Sequence, residues 1–163
     1  MAVSLNLVLG VPVVEVLPAG NTPNSTTPTV THDKLNQTLT LNANSTPSIA
    51  QVASGQKLMS AGAGTIDLTA VPSTNGATYN GNGQKVVAFE IQALATNAGN
   101  ITVKFGASNP YNIFGASGQC TLVPGECIVN YKVSGGQAIG GTTKNIDLSG
   151  TTTDGISYII TMG

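Results

Sequence analysis

The sequence predicts an all-β protein whose body is an antiparallel β-sandwich. Short segments alternate apolar and polar residues with a period of two, which is typical of half-buried strands. Turns rich in glycine and asparagine separate these segments, and the chain of 163 residues has 20 glycines. No window shows a helical period with capping residues. Roughly seven or eight short strands with such turns indicate a sandwich of the jelly-roll or Ig-like type.

Residues 1–50 are interpreted as an extended N-terminal arm with short strands, and residues 51–163 as the sandwich domain. Residues 4–9 alternate and place Leu5, Leu7 and Leu9 on one face, and residues 35–41 alternate in the same way. The segment between them is rich in Thr, Asn, Ser and Pro. It has too few apolar side chains to offset the entropy of ordering. We therefore expect the arm to order by docking on the body or on a neighbour.

The body begins with two short strands, and the clearest strand follows them. In residues 85–94 the alternation places Val87, Phe89, Ile91 and Ala93 on one face and Glu90 and Gln92 on the other. The remaining strands follow with Asn-Gly, Pro-Gly, Gly-Gly or Asp-Gly turns between several of them. The predicted ranges are 56–61, 65–71, 85–94, 100–106, 120–123, 127–133, 144–148 and 156–162.

Composition argues against several functional classes. Charged residues make up only 8% of the chain, with six lysines, no arginines and a net charge of −1. Nucleic-acid binding requires a basic surface, so no nucleic-acid partner is predicted. The apolar start has no basic n-region and is interrupted by Pro12 and Glu15, so neither a signal peptide nor a membrane span is predicted. So few charges suit a protein that is secreted or lives inside an assembly.

The sequence offers no catalytic, cofactor-binding or metal-ligating residues, and no enzyme activity or cofactor is predicted. The single histidine, His32, lies in the arm and is interpreted as a solvated loop residue. The acids are spread singly and are expected at outward strand positions or turns: Glu15, Asp33, Asp67, Glu90, Glu126, Asp147 and Asp154. Neither a phosphate-binding loop nor a dinucleotide motif is present.

A weak internal echo relates Thr65-Ile66-Asp67-Leu68-Thr69 to Asn145-Ile146-Asp147-Leu148-Ser149. It is interpreted as two similarly placed strands rather than a duplication, since the intervening segments do not match. A cation site formed by Asp67 and Asp147 is conceivable, but the spacing lacks the dense oxygen ligands of a calcium loop. No metal is predicted there.

The two cysteines, Cys120 and Cys127, flank the turn Pro124-Gly125. If the turn closes a hairpin, both cysteines share one face as a diagonal pair, about 7–8 Å apart. A disulfide favours a Cα separation of about 5.5–6 Å. The preferred interpretation is therefore two buried thiols, with a disulfide second and a functional site third.

The body resembles the small β-sandwich virion proteins of tailed bacteriophages, of the head-decoration (cement) or minor structural type. The residues that carry the resemblance lie between positions 55 and 163: TIDLTAVPSTNGAT, GQKVVAFEIQALATNAGNITVKFGASNPYNIFGA, TLVPGECIVNYKV and GISYIITMG. The resemblance implies a non-enzymatic subunit in the virion that binds the major capsid protein or another virion protein. It also implies a homo-oligomer, with a trimer as the expected number.

Two alternatives remain open beside capsid decoration. One is a main jelly-roll capsid subunit or a tail subunit. The other is a secreted carbohydrate-binding or adhesin-like module. Sugar-binding modules stack sugars on a planar row of aromatic rings, whereas this chain lacks Trp and its tyrosines are scattered: Tyr79, Tyr111, Tyr131 and Tyr158.

Overall fold

The protein is described by a computed structural model that covers residues 3–10, 13–16, 29–32, 37–73, 76–134 and 136–163. These residues form strands and connections without a helix, and so contain no helix able to cross a membrane. The strands are β1 Ser4–Leu9, β2 Val13–Val16, β3 Thr29–His32, β4 Gln37–Asn42, β5 Gln51–Leu58, β6 Ala63–Asp67, β7 Val71–Pro72, β8 Thr78–Tyr79, β9 Val86–Ala93, β10 Ile101–Phe105, β11 Gln119–Leu122, β12 Cys127–Tyr131, β13 Asn145–Ser149 and β14 Gly155–Met162. The all-β prediction is confirmed.

The described residues divide into two compact units, of which residues 4–41 form one. In this unit β2 pairs antiparallel with β3, and β1 lies beside β4. The pairing is therefore nested, since β2 and β3 lie between β1 and β4 in the chain. The alternation predicted for residues 4–9 is confirmed, since Leu7 is buried while Asn6 and Val8 are exposed. The extended conformation of the whole arm, residues 1–50, stays a prediction.

The second unit, residues 42–163, contains two four-stranded antiparallel sheets packed together as a sandwich. Sheet A has the strand order β12-β9-β14-β5, and sheet B has the order β11-β10-β13-β6. Of the eight strands in these two sheets, those that follow one another in the chain lie in opposite sheets. The exception is β10 and β11, which are neighbours in sheet B. A short pair, β7 with β8, lies between β6 and β9 in the chain.

Apolar side chains from the inner faces of both sheets form one core. On β9, the predicted inward residues Val87, Phe89, Ile91 and Ala93 are all buried, and Glu90 and Gln92 are exposed. Full burial of an aliphatic side chain contributes about 1.5–3 kcal/mol. Strands from distant parts of the sequence are thus held together chiefly by this shared core.

The first two body strands differ from their predicted ranges. The first strand, β5, begins five positions earlier than predicted, at Gln51, and ends at Leu58. The second, β6, ends at Asp67 because the Asp67 carboxylate accepts hydrogen bonds from the backbone N–H and hydroxyl of Thr69. The alternation of residues 65–71 predicts Ile66, Leu68 and Ala70 on one face; Ile66 and Leu68 are buried, but the turn after Asp67 leaves Ala70 exposed, so the placement of Ala70 is wrong.

Candidate interaction surface

A groove of about 340 Å³ opens on the sandwich beside the edge strands β5 and β6. Each of these strands lies at the edge of its sheet, and no further strand among the described residues pairs with either of them beside the groove. Its lining mixes apolar and polar side chains: Gln56, Lys57, Thr65, Ile66, Asp67, Ala70, Val71, Pro72 and Tyr158. An apolar groove with a few polar groups can accept a side chain or a short peptide segment from a partner.

Tyr158 contributes an unusual polar group to this groove. The residue is only 5% exposed, and burial raises the pKa of its phenol. It faces Gly55 on β5, where a side-chain Cβ would lie 3.4 Å from the Tyr158 hydroxyl oxygen. None of the described residues hydrogen-bonds that hydroxyl. Tyr158 thus lines the groove with a hydroxyl that has no hydrogen-bond partner in the described part of the chain.

Tyr111 differs from Tyr158, because its hydroxyl forms two hydrogen bonds inside the fold. It donates to the carbonyl of Gln137 at 2.8 Å and accepts from the N–H of Val86 at 3.1 Å. The side chain is completely buried, and burial raises its pKa, partly offset by the Val86 bond. Tyr111 thereby ties the connection before β11 to β9 and to the connection after β12.

We expect Tyr111→Phe to lower the free energy of unfolding by about 1–3 kcal/mol, because a buried N–H and a carbonyl lose their partner. Tyr158→Phe should change it by less than about 0.5 kcal/mol, since no internal bond is lost. Urea unfolding followed by far-UV circular dichroism measures both. Equal effects of the two substitutions would contradict this assignment of the hydroxyls.

At the groove, Asp67 forms an ion pair with Lys144, with 2.6 Å between Lys144 Nζ and Asp67 Oδ2. Burial alone raises the pKa of Asp67, but the hydrogen bonds from Lys144 and Thr69, together with the Lys144 charge, outweigh it, so the pKa is lowered. A lowered carboxyl pKa stabilises the fold above the pKa of the unfolded state, and this contribution is lost as pH falls through the folded-state value.

Asp67→Asn should therefore make the unfolding free energy less sensitive to acid between about pH 5 and pH 2. The side chains of Lys144 and Asp67 are 24% and 34% exposed, so solvent screens the pair. We expect a difference below about 1 kcal/mol. Urea titrations at several pH values measure it, and Lys144→Met, which removes the other partner of the pair, should also reduce the acid sensitivity. An acid sensitivity unchanged in both variants would contradict the prediction.

The two echo segments turn out to be neighbours. β6 and β13 pair antiparallel with Ile66 opposite Ile146, which explains the similar pattern of the two strands. Asp147 lies opposite Thr65, and its carboxylate accepts from the Thr65 hydroxyl at 2.7 Å and from the Ala107 N–H at 2.7 Å. Each aspartate thus has separate protein partners. Across the described ranges, no three His, Cys, Asp or Glu side chains group as a metal site.

The cysteine prediction is wrong about the hairpin and about the burial of both thiols, and right that they form no disulfide. β11 pairs with β10 in sheet B and β12 pairs with β9 in sheet A, so Pro124-Gly125 crosses between sheets rather than closing a hairpin. Cys120 is half-buried beside the core, whereas Cys127 is exposed, and both thiols are free. The turn itself is as predicted: Gly125 has a φ of +85°, and the Glu126 N–H donates to the Val123 carbonyl.

A thiol reagent should label Cys127 in the native protein at least about tenfold faster than Cys120, since access governs thiol reactivity. Under denaturing, non-reducing conditions both should react. Cys127→Ser should remove the fast phase alone. Loss of the slow phase instead, or fewer than two thiols after denaturation, would contradict the structure.

The remaining singled-out residues are dispersed. His32 is the last residue of β3, opposite Val13, rather than in a loop as predicted. Glu15 lies in β2, Glu90 is exposed on β9, and Asp33 lies outside the described residues. Glu126 is exposed and accepts from the Val123 N–H at 2.9 Å.

Asp154 departs most from its prediction, because it is 5% exposed rather than a solvated turn residue. Its two carboxylate oxygens accept the backbone N–H groups of Ala98 and Gly99 at 2.7 and 3.0 Å. This role joins segments more than 50 positions apart in sequence. Only an Asp-Gly turn signal was visible in the sequence, and that signal does not indicate burial.

In comparisons with protein-family models, with curated proteins and with solved structures, the chain has no match.

Proposed function

We propose that the protein is a non-enzymatic virion structural subunit, a capsid decoration protein that binds and stabilises a capsid lattice. The strand order carries the proposal. Along the chain, the eight strands of the two sheets fall into the orders sixth-third-eighth-first in sheet A and fifth-fourth-seventh-second in sheet B. This order supports a jelly roll, an architecture found in viral capsid and lectin domains.

The same order argues against the Ig-like alternative. In an Ig sandwich the first two strands, A and B, share a sheet. Here the first two body strands, β5 and β6, belong to opposite sheets. The jelly-roll type is therefore the part of the fold prediction that we retain.

The arm supplies the second part of the proposal. A ribbon of paired short strands with few charges can add backbone hydrogen bonds to an exposed sheet edge on a neighbour. The groove beside β5 and β6 offers a separate contact, with the Tyr158 hydroxyl as its polar anchor. The major capsid protein, or another virion protein, is the proposed partner. A homo-oligomer would present several arms at once.

The lectin function of some jelly rolls is less well supported by the side chains. Tyr111 and Tyr158 are buried, and Tyr79 and Tyr131 are half-buried. A surface that stacks sugars needs aromatic rings whose faces are exposed together in one plane. The positions of the tyrosines therefore favour the decoration function over carbohydrate binding.

Quantitative mass spectrometry of purified particles from the native source tests the proposal. The chain should be present in fixed stoichiometry to the major shell subunit. Recombinant protein should rebind to particles stripped of it, and deletion of residues 4–41, the unit separate from the sandwich, should abolish rebinding. Assembly of the isolated chain into shells or tubes would instead identify a main subunit, and glycan-array binding without particle association would identify a lectin.

A further inference from the structure

The edge of sheet A at β12 has unused backbone groups. The Lys132 N–H donates to the Val87 carbonyl, and the Ala93 N–H donates to the Glu126 carbonyl, so even-numbered residues of this segment point their backbone groups toward β9. In an antiparallel strand the alternate residues point the other way. Cys127, Val129 and Tyr131 therefore direct N–H and C=O groups off the sheet, where no described strand pairs with them.

This edge is also apolar and exposed. Five large apolar side chains are markedly exposed among the described residues of the body, and three of them lie on or beside β12: Val123 at 50%, Val129 at 45% and Val133 at 72%. The strand itself, Cys127–Tyr131, contains no charged residue. Soluble proteins usually protect such an edge with charges, prolines or a covering segment. An unprotected edge is a template for another strand.

We propose that a second copy of this chain pairs with this edge, β12 against β12 in antiparallel orientation, about a two-fold axis at Val129. Val129 then lies opposite Val129 of the second copy, and Cys127 lies opposite Tyr131. The outward-pointing backbone groups of both strands meet as hydrogen-bonded pairs. The two four-stranded A sheets become one continuous sheet.

Charge complementarity selects this register among the symmetric ones. With the axis at Val129, Glu126 of each copy lies opposite Lys132 of the other, which gives two opposite-charge pairs. An axis at Ile128 or at Asn130 places Glu126 opposite an uncharged residue. The exposed Val133 also comes to lie over Gly125 of the second copy. Because the contact is isologous, it closes as a dimer and leaves no β12 edge free.

Sedimentation equilibrium of the full chain should show a species of twice the 16.4 kDa chain mass. Lys132→Glu places like charges opposite each other twice and should raise the dimer dissociation constant about tenfold. The exchange Glu126→Lys with Lys132→Glu should restore dimerisation relative to either single variant. Far-UV circular dichroism confirms that each variant is folded. A monomer at every concentration, or a trimer unaffected by Lys132→Glu, would overturn the proposal.

Cross-linking tests the register independently of affinity. Residues in a hydrogen-bonded antiparallel pair have Cα atoms about 5.5 Å apart, which suits a disulfide. In a Cys127→Ser background, Val129→Cys should form a covalent dimer on mild oxidation. The natural Cys127 should not, because the two copies lie four residues apart along the strands, about 13 Å. Cross-linking through Cys127 but not through V129C would overturn the Val129 axis.

Discussion

Replacing Ile160 by alanine should lower the free energy of unfolding by about 2–5 kcal/mol. Ile160 is completely buried on β14, an inner strand of sheet A, and lies opposite Phe89 on β9 and Ala53 on β5. Truncation removes the transfer free energy of the side chain and leaves a cavity that a strand held on both sides cannot easily collapse.

The adjacent residue provides the control. Ile159 is 45% exposed on the opposite face of the same strand, so Ile159→Ala should cost less than about 1 kcal/mol. Both variants have the same chemistry and the same β propensity, and only burial differs. Because the chain lacks Trp, urea unfolding at fixed protein concentration is followed by far-UV circular dichroism. Equal losses would mean that β14 does not present the faces described.

The neighbouring strand β9 shows how much of this burial pattern the sequence predicts. The alternation of β9 was read correctly because one face of the strand is apolar and the other carries Glu90 and Gln92. It did not predict the burial of Ala88, which lies on the outward side. There, the register between β9 and β14 shifts so that Val87 is the extra residue of a bulge in β9, and the Thr161 hydroxyl bonds both the N–H and the carbonyl of Ala88. Such a bulge depends on the partner strand and is invisible locally.

Strand partners were less predictable than strands. The Pro124-Gly125 turn formed as expected, yet its two strands separated into different sheets. Local turn chemistry fixes the reversal of the chain over four residues. The partner of each strand is decided by long-range pairs such as Ile101 with Leu122 and Ile91 with Ile128. A local pattern cannot distinguish a hairpin from a crossover of equal length.

The interaction surface escaped prediction for a related reason. Its groove is lined by Lys57, Asp67 and Tyr158, which lie on β5, β6 and β14. None of these residues stands in a motif. Their proximity follows from β5 and β6 ending their sheets on the same side, with β14 beside β5. Only the strand order of a complete sandwich brings them together.

Asp154→Ala is expected to lower the free energy of unfolding by about 3 kcal/mol, since two hydrogen bonds to a buried charged acceptor are lost. The carboxylate bonds the Ala98 and Gly99 N–H groups, and the backbone carbonyl of Asp154 accepts from the Met59 N–H. Three connections therefore meet at one residue: β5 to β6, β9 to β10 and β13 to β14.

The neighbouring Asn97 strengthens this junction, because its side-chain amide donates to the Gly155 carbonyl at 2.9 Å and accepts from the Gly155 N–H at 2.8 Å. Asp154→Asn should be intermediate in stability, with a loss of about 1–2 kcal/mol, since its amide nitrogen would face an N–H donor where the carboxylate now accepts. Thr153→Ala, in the same connection but exposed, should stay within about 0.5 kcal/mol of the parent protein.

Urea unfolding ranks the three variants, and an Asn variant as stable as the parent would show that one of the two carboxylate bonds contributes nothing. Hydrogen exchange at Ala98 and Gly99 provides the local measure: their amide protection should fall in the Ala variant even under conditions where the strands of both sheets remain protected, because the bonds lost belong to the connections at this end of the sandwich.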